Sequence, residues 1–91
     1  MLTVRVTVVD AGGTPPTTAA ARIVEDILWA HAAPEHGLEH VRATPAPDGI
    51  AVMLFLRADD RAHAVANAER LLSHALSAGT AHRYAAAIHL S

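Results

Sequence analysis

Ile50-Ala51-Val52-Met53-Leu54-Phe55-Leu56-Arg57 decides how the rest of this 91-residue chain is read. Side chains alternate across an extended strand. Ile50, Val52, Leu54 and Leu56 therefore point one way, and Ala51, Met53 and Phe55 the other. Both sets are apolar. A strand apolar on both faces belongs at the centre of a sheet and is covered on both sides. Helices of the same chain can supply one cover. What supplies the other is the question the sequence raises.

Working outward, Leu2–Val9 alternates strictly, with Leu2, Val4, Val6 and Val8 on one face and Thr3, Arg5, Thr7 and Val9 on the other, which predicts a strand. Asp10-Ala11-Gly12-Gly13-Thr14-Pro15-Pro16 breaks it, and the proline pair delays any helix. Thr17 or Thr18 can then cap a helix running to about Ala33. Ala20, Ile23, Val24, Ile27, Ala30 and His31 form its expected apolar stripe, with Arg22, Asp26 and Trp29 opposite and Leu28 beside Trp29 on the outside. Leu38–Thr44 is a weaker strand, with Glu39, Val41 and Ala43 expected inward and His40 and Arg42 outward. Its mixed polarity and the following Pro45 suit an edge. Pro45-Ala46-Pro47-Asp48-Gly49 reads as a hairpin turn into the central strand. Asp59 or Asp60 caps a second helix, whose stripe is Val65, Ala68, Leu71, Leu72, Ala75 and Leu76, and Gly79 ends it. His82–Leu90 is the last strand.

The order strand, helix, strand, strand, helix, strand resembles the ferredoxin-like split βαβ sandwich. The resemblance covers the whole chain, 1–91, at the level of element order. It implies an α+β domain with a four-stranded antiparallel sheet in the order 4-1-3-2 and both helices on one face. The two most apolar strands, the first and third, would then be central.

Composition narrows the function classes. A chain this short buries only roughly 60–65% of its unfolded surface, so a partner chain would add stability. Half of it is hydrophobic (52%), much of that alanine, and only Trp29, Phe55 and Tyr84 are aromatic. All seven basic residues are arginine, a pattern that fits GC-rich coding. A net charge of −2 gives no polyanion footprint, so no nucleic-acid partner is expected. There is no cysteine, no basic leader at the N-terminus and no run of membrane-spanning length. A cytoplasmic protein with no membrane partner is expected.

The candidate chemistry is sparse. Seven histidines invite a metal reading, densest at His31, His36 and His40, but Gly37 interrupts the spacing that would make the last two converge on a helix. Neither metal nor cofactor is expected. A strand ending Val9-Asp10, then glycine, then a helix is similar to the opening of ACT domains, which implies small-molecule sensing, although Thr14-Pro15-Pro16 stands where those domains usually carry an aliphatic residue. Small ferredoxin-like dimers also include cofactor-free cyclases, isomerases and monooxygenases that act in a cavity between sheet and helices. Here His31 and Tyr84 are the candidates to line such a cavity for a small apolar substrate. No Ser-His-Asp or Cys-His set can be assembled, so no catalytic residue is assigned. RNA-recognition domains share the topology, but Phe55 is the only aromatic on the relevant face.

The expectation is therefore a self-associating or partner-binding module. Its interface would be Arg5, Thr7 and Val9 on the first strand, Met53, Phe55 and Arg57 on the central one, and Ala85 and Ala87 on the last. A homodimer is the simplest closed form, with Trp29 as a further contact and other protein partners as the alternative.

Overall fold

The computed structural model describes residues 1–10, 12–13, 15–77 and 84–89. Strand β1 is Leu2–Asp10, helix α1 Thr18–His31, strand β2 Leu38–Ala46, strand β3 Gly49–Leu56, helix α2 Arg61–Leu76 and strand β4 Tyr84–His89, with one 3-10 turn at Pro34–His36. The expected Gly79 cap lies outside the described residues.

β1, β3 and β2 form an antiparallel sheet with β3 in the middle, and β4 pairs antiparallel along the other edge of β1. The register sets Val4 against Leu54, Val6 against Val52 and Val8 against Ile50. All six are buried, as the alternation requires. They share one core cluster with the helix residues Ala21, Val24, Leu28, Ala64, Ala68, Leu71, Leu72, Ala75 and Leu76. Both helices thus cover the same side of the sheet. This α+β arrangement is compatible with a ferredoxin-like fold.

The helix caps follow the sequence. Thr17 Oγ1 accepts the Ala20 backbone N–H at 3.0 Å, starting α1 after the prolines. Asp60 accepts the His63 backbone N–H at 2.8 Å and lies 2.9 Å from the His63 ring Nδ1. The backbone donor, and then the neighbouring imidazole, hold the Asp60 carboxyl below the usual carboxylate range.

The face of α1 differs in part from the expectation: Ala20, Val24 and Ile27 pack on the core as expected. Ala21, Val24 and Leu28 are buried, while Ile23 is 49% exposed and Ala30 is exposed. The helix is turned by roughly one residue step of 100°. Leu28 is therefore core and adds nothing to the surface around Trp29. The turn also brings Glu25 over β2, where its carboxylate accepts the Ala43 backbone N–H at 2.7 Å. A helix side chain thus closes a donor of the edge strand, which discourages edge-to-edge pairing. Glu25 is more than the helix-surface charge its sequence position suggests.

β2 also departs from simple alternation. Leu38 pairs with Leu56 and His40 with Phe55, leaving Glu39 as the extra residue of a bulge. Leu38 packs against the core and Glu39 is exposed, the reverse of the expected inward Glu39. At the other end Ala46 pairs with Gly49, so Pro47 and Asp48 are the two loop residues. Gly49 has φ +145°, and a Cβ there would lie 2.7 Å from the Val8 carbonyl oxygen. Only glycine fits.

Candidate functional site: the open face of the sheet

No described element covers the side of the sheet away from the helices. Pairing lays three rows across β1, β3 and β2 on that side: Thr3–Phe55–His40, then Arg5–Met53–Arg42, then Thr7–Ala51–Thr44. A fourth begins with Gly49 and Ala46, beside Val9. Successive rows are about 6.6–6.8 Å apart, two residues of strand rise.

The second row is the distinctive one. Met53 is 37% exposed, and Arg5 and Arg42 flank it, both exposed. Among the described residues neither arginine has an ion-pair or hydrogen-bond partner. Two strand spacings separate them, roughly 9–10 Å. Thr7, Thr44, Ala51 and Asp48 complete a shallow groove of about 690 Å3 with them. Asp48, from the β2–β3 turn, is its one carboxylate. In the first row the His40 and Phe55 rings lie 5.5 Å apart at 42°, and Phe55 is half-buried.

The expected interface residues fall in different places. Arg5, Thr7, Val9, Met53 and Phe55 share the open face, with Val9 45% exposed. Ala85 and Ala87 are the register partners of Val9 and Thr7. Arg57 is at the margin: its backbone N–H donates to the Gly37 carbonyl at 2.7 Å, and it lines a cleft with Pro34, Gly37 and Glu39. Trp29, 46% exposed, belongs to α1 in the helix layer, apart from this face. Arg42, Thr44, Ala51 and Asp48 were not among the expected set. The alternation that turns Val41 inward already turns Arg42 outward, but its place beside Met53 depends on the pairing register.

A second concavity of about 560 Å3 lies where the end of β1, the start of α1 and the β2–β3 turn meet, lined by Val8, Val9, Asp10, Thr17, Ile23 and Tyr84 among others. The Gly12 N–H donates to Asp10 Oδ1 at 2.8 Å and the Gly13 N–H to the Asp10 carbonyl at 2.9 Å, with Gly13 at φ +75°. Tyr84 is here, but His31 is not. His31 sits at the far end of α1, its Nδ1 donating to the Ile27 carbonyl at 2.9 Å and its ring edge-on to His74 at 5.3 Å. The two residues expected to share a cavity are thus held apart.

The histidines do not converge either. Among the described residues no three His, Asp or Glu side chains are placed to hold a metal ion. His36 is buried, its Nδ1 accepting the Ala33 backbone N–H at 2.9 Å. That bond puts the ring proton on Nε2 and ties the 3-10 turn together. The chain matches no family model, no curated protein and no solved structure.

Proposed function

We propose that the protein is a ferredoxin-like βαββαβ module that works by self-association, its open sheet face covered by a second copy and its helices carrying no catalytic machinery. One observation carries this reading. The strands that bury Val4, Val6, Val8, Ile50, Val52, Leu54 and Leu56 leave Val9, Met53 and two arginines, unpartnered among the described residues, on the outer side, with nothing from the described chain above them. The molecule spans 37 × 27 × 16 Å, so its broad side suits the roughly 800 Å2 per partner of a standard interface. A homodimer closes one patch on itself without needing a second surface. No helix among the described residues is long and apolar enough to cross a membrane. Sedimentation equilibrium of the native chain tests the proposal. It requires a dimer at micromolar concentration and a folded monomer for Met53→Asp. A native chain that stays monomeric at high micromolar concentration rejects it.

The cavity under the β1–α1 loop favours a second reading, a domain that senses or converts a small molecule. Its volume is in the range of ligand pockets, and its lining mixes apolar side chains such as Val8, Ile23 and Ile50 with Asp10, Asp48 and Tyr84. A thermal-shift screen against free amino acids and small amines tests it. Stabilisation that is lost in Ile23→Trp, which fills the cavity, supports this reading; a flat screen removes it.

A further inference from the structure

We infer that the two copies meet about a two-fold axis lying along the Thr7–Ala51–Thr44 row, with their strands antiparallel, so that Arg42 of each copy reaches Asp48 of the other. This rests on the self-association proposed above and specifies its register.

The argument is one of elimination by charge and size. Sheets packed face to face by a two-fold axis allow only a few registers. An axis along the strands sets the Arg5–Met53–Arg42 row over the same row of the second copy, crowding four unpaired arginines together. An axis across the strands on that row does the same. Moving the axis outward to the Thr3–Phe55–His40 row brings Arg5 and Arg42 to the end of the second sheet that holds Arg57 and Glu39, three cations around one carboxylate. Like charges brought together in an interface suppress the association.

The Thr7–Ala51–Thr44 row behaves differently. These are small side chains, so the sheets can approach closely over them. An axis there carries each second row over the fourth row of the other copy. Met53 then lies above Gly49, which has no side chain, and the stem of Arg5 lies along Val9. Arg42 lies above Ala46, next to the turn that presents Asp48. The largest row covers the smallest, and the one carboxylate of the groove meets an unpaired guanidinium. The Phe55–His40 row falls outside the overlap.

Charge reversal tests this register by sedimentation at low ionic strength. Circular dichroism confirms folding, which both exposed positions should tolerate. Arg42→Asp and Asp48→Arg should each raise the dimer dissociation constant about tenfold or more, and the double variant should return to within about threefold of the native value. Phe55→Ala should leave it within about twofold. A native dimer whose two reversals add without recovery, or which Phe55→Ala abolishes, overturns the register while leaving self-association standing. A native monomer overturns both.

Discussion

Met53 and Leu54 are consecutive on β3, with the same neighbouring strands, yet Leu54 is fully buried and Met53 is 37% exposed. The whole sheet repeats that contrast. Its inner side meets two helices through Val4, Val6, Val8, Val52 and Leu56; its outer side meets nothing within the described chain. The strand backbone cannot cause the difference, because both sides share it. The helices cause it, since their buried apolar residues all serve one side. Apolar area on the outer side thus stays exposed in the single chain, while area on the inner side is committed to folding.

The largest predicted effect separates the two sides. Leu54→Ala should lower unfolding stability by about 2–5 kcal/mol through lost burial and the cavity left behind. Met53→Ala should change monomer stability by less than about 1 kcal/mol in urea denaturation at concentrations below dimerisation. Equal losses would mean that the outer side belongs to the monomer core.

A smaller effect tests whether the uncovered surface is the face alone or also the β2 edge. Glu25→Ala removes the acceptor of the Ala43 N–H and should cost about 1–2 kcal/mol. It should also speed exchange of the Ala43 amide. Unchanged protection of that amide would show that the carboxylate does not close the edge.

The smallest effect lies on the covered side, at the cap of α2. The depressed Asp60 carboxyl contributes stability that is complete above the ordinary carboxylate range and is lost as pH falls through its folded value. Asp60→Asn keeps a capping oxygen without the titration. The native chain should therefore lose more stability than this variant between about pH 5 and about pH 3. Parallel curves would remove the linkage.

The two sides were not equally legible in the sequence. Period-two alternation identified both faces of β1 and β3, because a strand gives each residue one of two directions. The face of α1 is ambiguous in the sequence because its alanines are apolar all round. Ala20, Ile23, Ala30 and His31 make as plausible a stripe as the one that buries Leu28. The choice depends on packing over β2, including the Glu25–Ala43 bond across 18 residues of sequence. The bulge at Glu39 is a similar case, since an extra residue shifts the alternation without changing composition. The candidate site was half visible: Met53, Arg5 and Val9 follow from alternation, whereas Arg42 and Asp48 join them only through the register and the turn.

The central claim, that a second copy covers the outer side, is tested most directly at Met53. The chain has two methionines, so selective methyl labelling gives two signals, and the one that disappears in Met53→Leu is the Met53 methyl. In an equimolar mixture of isotope-labelled and unlabelled chains, the account predicts intermolecular nuclear Overhauser contacts from that methyl to the unlabelled copy. Absence of any such contact at a concentration where the whole chain is folded would contradict it.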